Sequence, residues 1–235
     1  MSDERHPHSR GHGMTSARSR QRLVDRLAAT GRFDARVLAA MKAVPRHDFV
    51  DEAMASRAYD DIALPIGHGQ TISQPTIVAE MTTLLVADVS SEADIHDTLG
   101  PILEIGTGSG YQAAVLAEMG ATVVTVERVE PLYRLSRARL SKLGYTRVDV
   151  RLARDKSIGL PYRAPFARIL VTAGADRFPV ELFEQLADDG RMIVPIASDV
   201  GQRLYSIRRQ GDQAQSQAFD AVSFVPLIQP NLPSD

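Results

Sequence analysis

Leu103-Glu104-Ile105-Gly106-Thr107-Gly108-Ser109-Gly110-Tyr111 reads as a buried strand that runs into a glycine-rich turn. A helix over Gln112 to Glu118 follows. Glycines at alternate positions remove Cβ atoms where a backbone must approach a ligand. Glu104 stands two residues before the first glycine, near the strand's carboxyl end. Such a turn suits a nucleoside with hydroxyls to bond and little phosphate to hold. Spacing excludes the commonest rivals. A dinucleotide fingerprint, G-x-G-x-x-G, would place its last glycine at position 111, which is Tyr111. A phosphate-binding P-loop needs a Gly-Lys-Ser/Thr ending, and none follows.

A second acid supports the nucleoside reading. Thr122-Val123-Val124-Thr125-Val126-Glu127 is a β-branched run suited to a central parallel strand, and it ends in Glu127. In nucleotide-binding α/β folds, an acid about 20 residues past the glycine turn accepts from ribose hydroxyls. An ionised carboxylate only accepts and can take two donors at once. G-x-G-x-G preceded by an acid resembles the first motif of class I S-adenosylmethionine-dependent methyltransferases.

From Ile102 onward, strands near 102–105, 122–126, 147–152 and 168–172 alternate with helices near 111–119, 130–143 and 179–187. This alternation implies a mainly parallel central sheet covered on both faces. A final section beginning at Gly190 reads as antiparallel strands over 191–195, 202–209 and 219–225, with a hairpin turn at Gln210-Gly211-Asp212. Upstream, Leu23 and Leu27, then Val37, Leu38 and Met41, recur at helical spacing. Two amphipathic helices follow over 16–43, broken at Gly31, with Asp34 as N-cap of the second. Residues 44–75 read as a long irregular loop, of the kind that usually carries function. Thr76 to Val86 is helical, and 87–98 is a polar loop. The expected division is a tail at 1–15, a helical and substrate-loop region at 16–98, a Rossmann-like domain at 99–228 and a short tail at 229–235.

Composition narrows the possible partners. A net charge of -2 gives no electrostatic reason to expect nucleic acid or an anionic membrane. No apolar run is long enough to span a bilayer, and no secretory signal is visible. The absence of cysteine removes thiol chemistry and fits a cytoplasmic protein. His6, His8 and His12 lie in a polar tail without carboxylate or thiolate partners, so no metal site is expected there. A monomer is the expected state.

The segment 44–75 names a reaction. It contains Val44-Pro45-Arg46-His47-Asp48-Phe49-Val50, Tyr59 and Leu64-Pro65-Ile66-Gly67-His68-Gly69-Gln70-Thr71-Ile72-Ser73-Gln74-Pro75. From about Ser16 to about Leu227 the chain resembles the protein-L-isoaspartate (D-aspartate) O-methyltransferase family. Thr172-Ala173, Gln185-Leu186 and Arg191-Met192-Ile193-Val194-Pro195 also match its pattern. The resemblance implies a Rossmann-like methyltransferase fold with an N-terminal helical extension. It also implies transfer of the methyl of S-adenosylmethionine to the α-carboxylate of L-isoaspartyl residues in damaged proteins and peptides. Ser73 is then the catalytic serine, with Thr71 and Ile72 beside it on the substrate loop. Glu104, Gly106, Thr107, Gly108, Gly110, Glu127 and Asp155 then form the cofactor site.

The nucleophile in that reaction is a carboxylate with a pKa of roughly 4, ionised at neutral pH. No proton has to be removed, which argues against His47 or His68 as a general base. Thr71 and Ser73 have a second reading as caps of the helix beginning near Pro75. The family pattern is broken at Arg154-Asp155-Lys156, where Gly-Asp-Gly is usual, and at Ala167, where Pro165-Phe166 is normally followed by Asp. Both changes are expected on the cofactor side. Two rival readings remain: the same fold with a different carboxylate acceptor, and a non-catalytic binding protein.

Overall fold

The computed structural model describes residues 13–90, 95, 100–153 and 157–228. The three tail histidines, the C-terminal residues from 229, and Arg154, Asp155 and Lys156 lie outside them. The chain opens with α1 (Gly13–Ala29) and α2 (Ala35–Ala43). As expected, Asp34 caps α2, its side chain accepting from the Arg36 N–H.

The segment read as irregular is more ordered than expected. It holds two 3-10 turns, Arg46–Phe49 and Glu52–Arg57, and a two-stranded hairpin of β1 (Leu64–Gly67) and β2 (Gln70–Ile72). The hairpin turns through His68 and Gly69, both at positive φ. Leu64 faces Ile72 across it, and both are buried. Helix α3 (Pro75–Leu85) follows at once.

The remainder builds one seven-stranded sheet. Its strands are β3 (Pro101–Ile105), β4 (Thr122–Glu127), β5 (Val148–Leu152), β6 (Phe166–Val171), β7 (Leu186–Ser198), β8 (Gly201–Gln210) and β9 (Gln213–Val222). Their order is β5-β4-β3-β6-β7-β8-β9. The first five in that order run parallel, and β8 and β9 pair antiparallel. Helices α4 (Tyr111–Glu118) and α5 (Glu130–Lys142) lie between the parallel strands.

Alternation along each strand decides which side chains meet which layer. Ile102, Val123, Leu170 and Ile193 join one core with Leu23, Val37, Val78 and Val115 of the helices. Leu103, Val124, Ile169 and Met192 face the other core, with Phe166 and Leu182. Central strands thus read as continuous apolar runs because both faces are covered.

Three expected boundaries move. The helix placed over 179–187 is only a turn, α6 (Val180–Phe183), because Leu186 already enters β7. That strand begins before Gly190, where the antiparallel section was placed. Strand β9 starts directly after the Gly211 turn and ends at Val222, so the expected 219–225 strand is shifted toward the N-terminus.

Candidate functional site

The carboxyl ends of β3, β4 and β6 meet at one edge of the sheet, and there the glycine turn is built. The Gly106 and Thr107 N–H groups both donate to Val126 O, at 2.9 and 3.3 Å. The Thr107 and Thr125 hydroxyls bond each other at 2.7 Å. These contacts continue the β3–β4 pairing past the end of the strands. Gly106 has φ +98°, and a Cβ there would stand 2.5 Å from Thr172 Oγ1. The Thr172 hydroxyl lies within hydrogen-bond distance of both Ile105 O and Gly106 O. It therefore locks the end of β6 to the start of the turn. Gly106 is a glycine for conformation and for packing together.

Glu127 is buried and organises the turn from the neighbouring strand. Its Oε2 accepts from the Gly108 N–H at 2.7 Å, and its Oε1 accepts from the Arg128 and Val129 N–H groups at 2.8 Å each. A carboxylate has about four acceptor sites, so one site on Oε2 stays open. Gly108 and Glu127 both face one cleft.

The substrate-loop residues reach the same cleft. Gln70, Thr71, Ile72 and Ser73 line it together with Gly106, Thr107 and Gly108. Ile72 is buried and anchors the loop, Ser73 is half-buried and Thr71 is exposed. Neither hydroxyl caps α3: its N-cap is Gln74, without a side-chain bond. The cap comes from Asp61, which accepts from the Thr76 N–H and hydroxyl. The capping alternative for Thr71 and Ser73 is therefore not realised.

A third wall went unread in the sequence. Beyond β9, Val225 to Ile228 also line the cleft. The Gly174 N–H donates to Val225 O and the Leu227 N–H to Gly174 O, each at 2.8 Å. Gln202 grips Phe224 at both backbone groups. A Cβ on Gly174 would lie 2.2 Å from Gln202 Nε2, so a side chain there would displace the Gln202 amide from Phe224. Thr172 also lines the cleft, and its place at the end of β6 beside β3 was the available signal, since ligands in open α/β sheets bind at strand carboxyl ends.

Two expected cofactor residues are not on the cleft surface. Gly110, at φ +90°, begins α4, and a Cβ on it would press on Leu140 of α5 at 3.0 Å. Its side of the turn faces the helix layer. Glu104 is wholly buried behind the wall, with neither oxygen in a well-formed hydrogen bond. Burial pushes its carboxyl up to about 8, and the nearby Thr125 hydroxyl offsets only part of this. Asp155 falls outside the described residues.

Other side chains sort cleanly. Tyr111 lines the cleft. Burial pushes its phenol up to about 12, so it is neutral at physiological pH. His47 Nδ1 lies 2.6 Å from the Tyr59 hydroxyl, and His68 sits exposed in the hairpin turn; neither faces the cleft. Ala167 corrects an expectation. It lies near the start of β6, and Thr172 follows that strand's other end. Four steps to Val171 at about 3.3 Å each put it roughly 13 Å away along the strand. Its neighbour Arg168 bonds Leu85 O and Asp88 at that remote end.

Similarity to known proteins agrees with this geometry. Residues 18–231 match the family described as protein-L-isoaspartate(D-aspartate) O-methyltransferase. The chain is 49% identical to protein-L-isoaspartate O-methyltransferase of Alcanivorax borkumensis over 217 residues, covering 92% of this chain and 94% of that one. The same enzyme of Hahella chejuensis is 46% identical over 215 residues, covering 92% and 98%. Among solved structures, a Plasmodium falciparum protein assigned the same activity, in complex with S-adenosyl-L-homocysteine, aligns with TM-score 0.73 and 25% identity. That alignment covers 89% of this chain and 98% of the other. A second solved protein-L-isoaspartate O-methyltransferase aligns with TM-score 0.76 and 26% identity over 88% of this chain, which spans 65% of that protein's length.

Proposed function

The chain belongs to the protein-L-isoaspartate (D-aspartate) O-methyltransferase family, and from that premise we propose that it methylates the α-carboxylate of L-isoaspartyl residues in damaged proteins. The observation that carries this reading is the shared cleft, lined both by Thr71 to Ser73 and by Gly106 to Gly108 with Glu127. We propose further that it works in the cytoplasm as a monomer. Among the described residues no helix is long and apolar enough to cross a membrane.

The site suits S-adenosylmethionine by its donors and its spaces. Glu127 keeps one acceptor site for a ribose hydroxyl. The missing Cβ of Gly108 leaves the turn backbone open beside Ile66. When bound, S-adenosylmethionine supplies a methyl group made electrophilic by the positive sulfur. Glu127, Gly106, Thr107 and Gly108 would hold the nucleoside, and the family resemblance assigns Asp155 to the adenine. Gly110 acts through packing of the turn. Glu104 acts from behind the wall through packing, since burial pushes its carboxyl up to about 8 and keeps it mostly neutral at pH 7.

The Ser73 hydroxyl donates to the substrate carboxylate and aims one oxygen at the methyl carbon, with Thr71 and the Ile72 backbone beside it. A carbon–oxygen bond forms as the carbon–sulfur bond breaks, and the electron pair stays on sulfur. No proton changes hands, so positioning supplies most of the rate. A hydroxyl orients the carboxylate without the strong ground-state stabilisation that a Lys or Arg would give. The region 16–98 thus carries the acceptor loop, and 99–228 carries the cofactor wall. The test is methyl transfer from S-adenosylmethionine to an isoaspartyl peptide and to its aspartyl counterpart. Transfer to the isoaspartyl member alone is expected; equal transfer, or none, overturns the reading.

A further inference from the structure

What fixes the height of the Thr71–Ser73 loop over the glycine turn lies just outside the loop. Asp61 precedes β1, and Thr76 opens the first turn of α3. The Asp61 carboxylate accepts from the Thr76 N–H at 2.8 Å and from its hydroxyl at 2.5 Å. These two bonds close the chain from 61 to 76 into a loop that holds the β1–β2 hairpin and Ser73. A carboxylate at a helix N-terminus is also favoured by the helix dipole.

The base of the latch is itself tethered. Arg46 is fully buried and bonds backbone carbonyls. Its Nε donates to Ala58 O at 2.9 Å, and its Nη2 reaches Ile62 O at 3.5 Å. Arg26 donates to Tyr59 O between them. Two guanidinium groups therefore hold three carbonyls that flank Asp61. The Arg46 guanidinium also lies over the Tyr111 ring, 4.9 Å from its centroid, and Tyr111 belongs to the cleft wall. The acceptor loop is thereby referenced to the helix that starts at the glycine turn.

We propose that Asp61 is a positioning residue for the reaction: through Thr76 it sets Ser73 against the cofactor wall, and Arg46 fixes Asp61. The proposal rests on the functional reading above. Misplacement of reacting groups by about 1 Å can cost roughly 100-fold, so the latch is expected to appear in turnover rather than in cofactor affinity.

The test uses the full chain with Asp61→Ala, Thr76→Val, Thr76→Ser and the Asp61→Ala/Thr76→Val pair. Asp61→Ala is expected to lower kcat/KM for an isoaspartyl peptide by roughly 10- to 100-fold, mainly through kcat. Affinity for S-adenosylhomocysteine should be unchanged. Thr76→Val should take part of that loss and add nothing in the Asp61→Ala background, and Thr76→Ser should behave as wild type. Amide hydrogen exchange over residues 64–76 should quicken in Asp61→Ala while residues 103–118 keep their protection. Additive losses, a parallel fall in cofactor affinity, or unchanged exchange over 64–76 would overturn the latch. A wild-type protein inactive on the isoaspartyl peptide would instead overturn the functional reading, and the exchange result would still decide the latch.

Discussion

Of the roughly four acceptor sites of the Glu127 carboxylate, three are taken by backbone N–H groups of its own loop and of Gly108. Its chemistry is therefore stricter than ribose binding alone would demand. Glutamine at 127 would set an NH2 group against N–H donors that now meet oxygen. Hydrogen bonds to a charged group contribute about 1.5 to 3 kcal/mol each. Glu127→Gln is thus expected to weaken S-adenosylhomocysteine binding by roughly tenfold to a hundredfold, read by titration calorimetry. Affinity equal to wild type would show that the carboxylate is dispensable for the turn. The sequence exposed this residue well, since spacing from the glycine turn and a β-branched run before it locate a strand-end acid. It could not show that Glu104 sits behind the wall or that Gly110 serves Leu140. Both depend on which side of the turn faces the helices, a three-dimensional fact that spacing does not encode.

Elements buried on both faces were readable, and elements with little apolar patterning were not. The run from Thr122 to Glu127 declares itself because five of its six residues are buried. Strand β9 does not, since Gln213 to Ala218 are all exposed and alternate nothing. The β1–β2 hairpin is three to four residues per strand, too short for a periodic signal, although Gly67-His68-Gly69 marks its turn. The stretch from Ser223 to Ile228 forms no strand or helix, and its place beside the cleft depends on Gly174 and Gln202. Removing the Gln202 side chain frees both backbone groups of Phe224. Gln202→Ala is therefore expected to raise KM for the methyl donor severalfold while the melting temperature falls by only a few degrees, in line with about 1 kcal/mol per neutral hydrogen bond. Steady-state kinetics with the peptide saturating would check this, and an unchanged KM would mean that the segment holds its place without the clamp.

Helix α3 is tied at its two ends to different parts of the molecule. Its first turn is latched by Asp61 beside the cleft. Its last carbonyls are held at the far end, where Arg168 donates to Leu85 O and Arg191 to Leu84 O. Asp88 binds both arginines, at 2.8 and 3.3 Å. Partial burial pushes the Asp88 carboxyl up, but Arg168 and Arg191 outweigh it and hold the group below the usual carboxylate range. The folded state therefore releases this proton more readily than the unfolded chain. The stabilisation is present above the ordinary carboxylate range and is lost as pH falls through the depressed value. The same cluster puts the departure at Ala167 beside a junction of two layers, at the end of β6 away from the cleft. Arg168→Ala would leave Asp88 with one cation and Leu85 O without its donor. A loss of about 2 to 4 kcal/mol is expected, with wild-type affinity for S-adenosylhomocysteine in the protein that remains folded. Denaturation at pH 7 should show the full difference between variant and wild type. In acid the gap should narrow, because protonated Asp88 no longer distinguishes them. A variant that keeps its stability but loses cofactor affinity would move Arg168 from the scaffold to the site.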